Sequence, residues 1–357
     1  MAQHTQTNHN QANTSPNGAP SSALQPAADL LSVEYRGESE AALKELSRLA
    51  ELVGVSITHL NGADRRAGVL QFSSEGTPDQ HVKAKFHTLF AQYFAPGSAL
   101  LNYQTEAEKI LELLVAVGAT VRGKVLGVVA AHGGAGATNL AAWIASTLAR
   151  SGEEVALIDL DPASAGIELL LSIVGVPGKR WPDLHGNGAL LPGRLNSSLP
   201  EWNGVRVLSA DERGGPPLDA RRATGAVAAL AQLNSWTILD LPRSVLLSEA
   251  PSHALLEWCD YLLVVTRASS VQLAATHTIL SRSYRPCPMS VVANAVTSLG
   301  QAAHISQMLA VPGVFTVRNS SKHVAAVEHG VAPGARVRTS YARDVERICA
   351  YISDTVA

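Results

Sequence analysis

The chain has 357 residues, 46% of them hydrophobic, which is enough for one large domain and a smaller one with buried cores. Its 28 basic and 30 acidic side chains nearly balance, which excludes a whole-molecule attraction to nucleic acid or to an anionic membrane. The three cysteines have no C-x-x-C spacing and the histidines no metal-ligand spacing, which argues against a disulfide framework and a zinc site.

No run approaches the roughly 18 to 20 apolar residues that cross a bilayer, and the N-terminus lacks the charged-then-apolar order of a secretory signal. We therefore expect a cytoplasmic protein without an integral membrane segment. Residues 1–28 contain no Asp, Glu, Lys or Arg and are rich in small polar residues, Pro and Ala. This composition predicts a disordered tail, with folding on a partner as the alternative.

Residues 29–118 are predicted to form a small α/β unit. The third predicted element ends in Ser73-Ser74, where a phosphoacceptor receiver domain would place an Asp. If the unit is receiver-like, we expect it to be degenerate and to bind partners without being phosphorylated. The periodicity predicts strands at 30–35 and 68–72 and helices at 40–53, near 81–93 and at 105–117.

Residues 121–357 alternate strand and helix patterns, which predicts an α/β fold with a doubly wound, mostly parallel sheet. Most strand candidates are short apolar runs without alternation, as expected where helices cover both faces. The Gly- and Pro-rich stretch 175–200 is predicted to be a long surface insertion. The strand candidates are residues 125–131, 155–159, 205–209, 237–241, 261–266, 289–294 and 314–317.

A glycine-rich turn follows the first of these strands and precedes an alanine-rich helical pattern. The turn reads His132-Gly133-Gly134-Ala135-Gly136-Ala137-Thr138. Glycines let backbone N–H groups surround an anion, and the helix N-terminus adds a positive dipole end, so the order strand, loop, helix predicts a phosphate-binding loop. The pattern G-x-x-x-x-G-K-[ST] requires Lys at position 137, which is Ala here.

Three carboxylates follow predicted strands, at the edge where open α/β sheets bind ligands. Asp159 and Asp161 close one strand, and Asp240 closes another. A carboxylate at Asp240 that faces Thr138 is the arrangement that holds Mg²⁺ on phosphates. A single Asp at a strand end is more often a helix or turn cap, but three of them beside a glycine loop favour the metal interpretation.

These motifs resemble those of the MinD/ParA superfamily of P-loop proteins. The loop is similar to its deviant Walker A motif, K-G-G-x-G-K-[ST], and Ile158-Asp159-Leu160-Asp161-Pro162 to its D-x-D-P switch. Leu239-Asp240-Leu241-Pro242-Arg243 resembles the Walker B strand end, Val292-Ala293-Asn294-Ala295-Val296 the strand that reads adenine, and residues 323–332 a late helix near the nucleotide. A receiver-like unit ahead of such a domain is similar to the arrangement of the CpaE/TadZ branch, which includes septum-site-determining-like members.

The resemblance implies that ATP and Mg²⁺ are the cofactors of a homodimeric P-loop NTPase fold. Asp161 would position the attacking water, Thr138 would ligate the ion, Asp159 and Asp240 would orient it, and Asn294 would contact the base. The nucleotide-binding residues implied in this way are His132, Gly133, Gly134, Ala135, Gly136, Ala137, Thr138, Asn139 and Asn294.

Both lysines of the family motif are absent, since His132 stands for the signature lysine and Ala137 for the loop lysine. A lost charge-assisted hydrogen bond weakens binding by roughly ten- to a hundredfold. Turnover should suffer more, because transition-state charge on a phosphoryl group is stabilised mainly by cations. We therefore expect weak binding of ATP, and any activity would be Mg-dependent ATP hydrolysis.

The resemblance implies a positioning or scaffold protein that directs pilus or secretion machinery or the division septum, and that partners recruit to the inner membrane face, pole or septum. Two alternatives stay open: an active MinD-like ATPase switch, and a ParA-like DNA-binding protein. The second would use Arg336, Arg338, Arg343 and Arg347, which are otherwise a solvated helix face. The last predicted helix, 342–352, is expected to pack through Val345, Ile348 and Ile352 and not to anchor in a membrane.

Overall fold

The computed structural model describes residues 31–60, 68–86, 98–118, 122–164, 166–184, 190–216, 220–247, 253–283, 285–319, 331–334 and 339–356. The predicted tail and most of the late helix at 323–332 lie outside these residues. Within the described part, none of the helices is both long and apolar enough to cross a bilayer.

The N-terminal unit has a five-stranded sheet of order β2-β1-β3-β4-β5. Strand β1 is parallel to β2 and β3, whereas the β3–β4 and β4–β5 pairs are antiparallel. The predicted helices at 40–53 and 105–117 and the strands at 30–35 and 68–72 are confirmed, with ends shifted by one or two residues. The elements are β1 (Leu31–Arg36), α1 (Glu40–Leu52), β2 (Ile57–His59), β3 (Gly68–Ser73), β4 (His81–Phe86), β5 (Ala99–Asn102) and α2 (Ala107–Gly118).

The helix predicted near 81–93 is wrong over its first part, because His81–Phe86 is a strand. Val82 and Ala84 are buried while their neighbours are more exposed, which is the period-two alternation of a strand. Only residues 74–80 separate β3 from β4, which is too short for the crossover of a dozen or more residues that parallel pairing requires. The strand order matches that of flavodoxin-like sheets, but the antiparallel pairs do not, and the receiver-like identity is not confirmed.

The second unit is an eight-stranded sheet of order β13-β12-β11-β6-β10-β7-β9-β8, parallel except for the β8–β9 pair. All seven predicted strands are confirmed, and only the two-residue strand β8 was not predicted. The strands are β6 (Lys124–Ala130), β7 (Val155–Asp159), β8 (Glu201–Trp202), β9 (Val205–Leu208), β10 (Trp236–Leu241), β11 (Tyr261–Arg267), β12 (Met289–Val296) and β13 (Val314–Arg318).

Helices flank this sheet, and two clusters of buried apolar side chains form its core. Helix α10 packs on α3, where the Trp143 and Tyr341 ring centroids are 5.3 Å apart. Val345, Ile348 and Ile352 of α10 are buried, as predicted for a packing helix. The helices of this unit are α3 (Ala137–Arg150), α4 (Glu168–Leu171), α5 (Pro192–Ser198), α6 (Ala220–Ala231), α7 (His253–Leu256), α8 (Ser270–Leu280), α9 (Ala302–Leu309) and α10 (Ser340–Thr355).

The stretch 175–200 is not the surface insertion that its Gly and Pro content predicts. Trp181, Leu195 and Leu199 are buried in the core of the domain. The Trp181 indole N–H donates to the backbone carbonyl of Asp159 at 2.6 Å. Arg180 is buried in an ion pair with Glu168. A few large side chains therefore fix this stretch to the end of β7.

A buried hydroxyl in the middle of the sheet offers a test of the packing. The Thr237 hydroxyl on β10 is fully buried and has no hydrogen-bond partner. Because an unsatisfied buried hydroxyl costs about 1–3 kcal/mol, Thr237→Val should raise the unfolding free energy, by about 1 kcal/mol. Urea denaturation would measure the change.

Thr276 provides the matched control. Its buried hydroxyl donates to the Gln272 carbonyl at 2.8 Å and lies 2.7 Å from the Thr266 hydroxyl. Thr276→Val should therefore destabilise the domain, by about 1 kcal/mol. Destabilisation of both variants to the same extent would contradict the assignment of an unpartnered Thr237 hydroxyl.

Candidate functional site at the phosphate loop

The glycine-rich loop joins the end of β6 to the start of α3, at the carboxyl edge of the sheet. Gly134 (φ 72°) and Gly136 (φ 91°) adopt the left-handed conformation that favours glycine. Gly136 is the residue that precedes α3, and it has no side chain with which to cap the helix. The first N–H groups of α3 therefore receive no hydrogen bond from a capping side chain. A Cβ at Gly133 or Gly134 would meet nothing within 4 Å. The loop is thus an open backbone cradle, which fits a phosphate group.

Asn294, at the end of β12, holds the loop from the side. Its Nδ2 donates to the Ala135 carbonyl at 3.0 Å, and its Oδ1 accepts from the Ala295 N–H at 2.9 Å. A Cβ at Gly136 would lie 2.5 Å from that Nδ2. The structure therefore brings Asn294 to the loop, where it fixes the backbone, and its contact with a base stays a prediction.

Gly136→Ala should destabilise the loop for two reasons. Left-handed backbone costs a non-glycine residue about 1–2 kcal/mol, and the new methyl group would displace the Asn294 amide. We expect a loss of about 2 kcal/mol in unfolding free energy without nucleotide, measured by thermal or urea denaturation. Gly133→Ala, where the space is open and the backbone is not left-handed, should change stability by less than about 0.5 kcal/mol. Equal losses in both variants would contradict this account.

His132, at the position of the signature lysine, is turned back toward the neighbouring strand. The Arg267 backbone N–H donates to its Nε2 at 3.2 Å, and the Thr266 hydroxyl lies 3.3 Å from the same nitrogen. The other ring nitrogen, Nδ1, lies 3.0 Å from the Gly133 carbonyl oxygen. His132 therefore ties the loop to the end of β11.

The first three residues of α3 direct their side chains to different surroundings. Ala137 is only 5% exposed, because its methyl group belongs to the buried cluster around α3. The Thr138 hydroxyl faces the Asp240 carboxylate and acts to lower the pKa of that carboxyl. Asn139 Nδ2 donates to the Tyr341 hydroxyl at 3.3 Å. Thr138 is thus directed to the predicted metal position, while Asn139 contacts α10.

The three predicted carboxylates lie together at the ends of two paired strands. Asp159 and Asp240 are register partners of β7 and β10, and both are buried. Asp159 accepts from the Ser164 hydroxyl at 2.9 Å and from the Asp161 N–H at 3.2 Å. Half-buried Asp161 accepts from the Ala163 N–H at 2.9 Å. The structure therefore brings the carboxylates close to Thr138.

The two buried carboxylates have raised pKa values. Burial raises the pKa of Asp159 to about 6, against the opposing effect of its hydrogen bond from Ser164. Burial raises the pKa of Asp240 to about 7, and the charges of Asp159 and Asp161 add to the effect while the Thr138 hydroxyl opposes it.

This donor set fits Mg²⁺. The ion prefers carboxylate and hydroxyl oxygens, keeps several waters and takes other ligands from phosphates, so one or two protein ligands suffice. The Thr138 hydroxyl and the Asp240 carboxylate are such a pair. Among the described residues, His, Cys, Asp and Glu side chains form no group of three or more that could enclose a metal alone. The site therefore suits an ion shared with a nucleotide.

The chain is 31% identical over 328 residues to the uncharacterized protein Rv3660c of Mycobacterium tuberculosis strain H37Rv, covering 82% of this chain and 89% of the mycobacterial protein. The chain belongs to the Rv3660c family. No protein-family model matches it.

Solved structures similar to this member of the Rv3660c family are MinD proteins and their complexes. A chain of the MinC:MinD cell division protein complex of Aquifex aeolicus matches with a TM-score of 0.53 and 16% identity, covering 65% of this chain and 96% of that one. The cell division ATPase MinD of Pyrococcus furiosus matches with a TM-score of 0.50 and 17% identity, covering 65% of this chain and 99% of that one. The second unit therefore has the MinD/ParA P-loop fold, and the predicted fold class is confirmed.

Sequence reasoning missed several residues that position the site in this Rv3660c-family chain. Ser164 and Trp181 both hydrogen-bond to Asp159, and Thr266 and Arg267 hold His132. The sequence carries a partial signal for Arg267 alone, because it directly follows the strand predicted at 261–266. The other contacts depend on tertiary packing.

Proposed function

We propose that this protein binds ATP with Mg²⁺ as a structural ligand and turns it over slowly, so that the bound nucleotide stabilises a dimeric scaffold. The observation that carries this proposal is the contrast within one loop. The backbone cradle, Thr138 and Asp240 are in place, whereas neither lysine position holds a lysine: the His132 ring bonds to the end of β11, and Ala137 is buried.

The chain's own residues would divide the work as follows. The backbone N–H groups of Gly134, Gly136 and Ala137 would bind phosphate oxygens. The Thr138 hydroxyl and the Asp240 carboxylate would hold Mg²⁺, which when bound neutralises charge on the phosphates. Asp161, half-buried at the loop edge, would orient a water. Asp159 would position Asp161, whose N–H it accepts.

Slow turnover follows from the missing cations. Positive charge placed for the transferring phosphoryl group supplies a large part of catalysis in this class, and an arginine finger alone contributes about 10³–10⁵ in rate. Binding depends less on those cations, because the backbone cradle and the metal ligands remain. The site therefore favours retention of nucleotide over its hydrolysis.

The biological role that we propose is positioning. The Aquifex structure is a complex of two cell division proteins, and the Pyrococcus protein is a cell division ATPase. By this likeness of fold, and by the resemblance to the CpaE/TadZ branch, the dimer would mark a site for division, pilus or secretion proteins at the cytoplasmic face of the membrane. The N-terminal unit would recruit those partners.

Steady-state hydrolysis of Mg-ATP tests the proposal. We expect a turnover at least about a hundredfold below the roughly 1 s⁻¹ at the lower end of ordinary enzymes. Asp161→Ala should leave nucleotide affinity within about twofold, because that carboxylate is assigned to a water and not to the phosphates. An ordinary rate of Mg-dependent hydrolysis that collapses in Asp161→Ala would contradict the scaffold role and support an active switch.

A further inference from the structure

Two exposed arginines stand at the ends of the strands on either side of the phosphate loop. The loop follows β6, which lies between β11 and β10 in the sheet. Arg267 is the last residue of β11, and Arg243 comes two residues after the end of β10. Since the strands are parallel, both residues emerge at the same edge of the sheet as the loop.

Arg267 is placed beside the loop by direct contact. Val265 of β11 is the register partner of Ala130, so Arg267, two residues on, is level with His132. Its backbone N–H donates to His132 Nε2 at 3.2 Å. The residue at the signature lysine position is therefore held against the backbone of Arg267, and Arg267 itself is exposed at this edge of the sheet.

Arg243 occupies the corresponding place on the other side. Leu241 of β10 is the register partner of Val129, so Arg243 comes level with the start of the loop. Pro242 fixes the turn that follows Asp240, and a short 3-10 turn begins at Arg243, whose side chain is exposed. Arg243 is thus three residues along the chain from Asp240, the residue assigned to the metal.

Other arginines of the domain differ from these two in their ion pairing. Arg122, Arg180 and Arg318 each pair with a carboxylate. Within the described residues, neither Arg243 nor Arg267 forms an ion pair, although three carboxylates lie at the same edge of the sheet. Two unneutralised cations thus flank a loop that has lost its own lysines.

We propose that Arg267 and Arg243 are phosphate-binding residues that replace, from the two neighbouring strands, the positive charge missing from the loop. This inference rests on the proposed function, because it concerns the same nucleotide. The proposed ligand is a nucleoside di- or triphosphate. A nucleoside monophosphate has a single phosphate group, which would fill the cradle and leave no second phosphate for the two arginines. Guanidinium groups suit this task because they are always charged and can bind phosphate through two N–H groups.

The test is a titration of Mg-ATP, Mg-ADP and AMP into the full chain and into Arg267→Gln and Arg243→Gln. Arg206→Gln is the matched control, because it removes the same charge from Arg206 of β9, which pairs with Glu201 of β8, away from the loop. We expect each loop variant to bind ATP about ten- to a hundredfold more weakly, with a smaller loss for AMP. The control should be unchanged, and all variants should melt at the temperature of the wild type.

Arg267→Lys separates charge from a structural effect. It should recover part of the affinity that Arg267→Gln loses, because a lysine keeps the positive charge but not the two-pronged geometry. If the wild type binds ATP and both Gln variants bind it equally well, this inference is overturned and the proposed function stands. If the wild type binds no nucleotide, the proposed function itself fails, and with it this assignment.

Discussion

Without magnesium and nucleotide, the P-loop domain should be more stable at pH 5 than at pH 7.5. The cause is the pair of buried carboxylates, whose pKa values of about 6 for Asp159 and about 7 for Asp240 exceed the ordinary value of about 3.9. Between these values the folded protein holds protons that the unfolded chain releases. This stabilising contribution is complete below about pH 4 and is lost as the pH rises through 6 and 7.

Integrated over the interval from pH 5 to pH 7.5, the two groups together should change the unfolding free energy by about 2 to 4 kcal/mol. Urea denaturation in EDTA at both pH values would measure it. Asp240→Asn, which keeps the shape and removes the charge, should be more stable than the wild type at pH 7.5, and this advantage should be smaller at pH 5 by about 2 kcal/mol. A wild type and variant that respond in parallel to pH would contradict the raised pKa of Asp240.

Asp344→Ala should destabilise the same domain, by about 3 kcal/mol at neutral pH. Asp344 on α10 is 1% exposed and accepts hydrogen bonds from the Arg318 backbone N–H at 3.0 Å and from its Nε and Nη2 at 2.9 and 2.8 Å, as well as from Arg347. Burial would raise the pKa of this carboxyl, but the hydrogen bonds from Arg318 and Arg347 outweigh it, and the pKa lies below its ordinary value.

The destabilisation caused by Asp344→Ala should depend on pH. Because the pKa of Asp344 is lowered on folding, its contribution is present above the ordinary carboxyl pKa of about 3.9 and is lost as the pH falls through the folded value. The difference between wild type and Asp344→Ala should therefore shrink in acid. Glu346→Ala, an exposed acid on the same helix, is the control and should cost less than about 0.5 kcal/mol. Equal costs for both variants would contradict the role of Asp344.

The architecture of the P-loop domain follows from local patterns that the sequence displays directly. Short apolar runs such as Val155–Asp159 can be buried on both faces only in a parallel sheet covered by helices, and the loop glycines mark the strand from which the site begins. The strand His81–Phe86 was missed because its alternation is short and two of its six side chains are lysines. A helix was predicted there, whereas the segment is a strand that pairs with β3 on one side and β5 on the other.

The candidate site is predictable in its residue types and not in its contacts. The positions of Thr138, Asp159, Asp161 and Asp240 follow from strand ends and loop spacing. No sequence rule indicates that His132 is held by the Arg267 backbone, or that Trp181 from a Gly- and Pro-rich stretch reaches the Asp159 carbonyl. Those contacts join segments that are 135 and 22 residues apart, and tertiary packing alone brings them together.

The central claim is that a loop without its lysines still binds nucleotide, and an equilibrium titration of Mg-ATP into the full chain tests it most directly. Thr138→Val, which removes the hydroxyl that faces Asp240, is the matched control. We predict saturable binding with a dissociation constant below about 1 mM, equivalent to about −4.1 kcal/mol. It should weaken at least about tenfold when magnesium is withheld or Thr138 is replaced. The account would be contradicted if binding did not saturate at several times that concentration. It would also be contradicted if neither the removal of magnesium nor Thr138→Val altered the affinity.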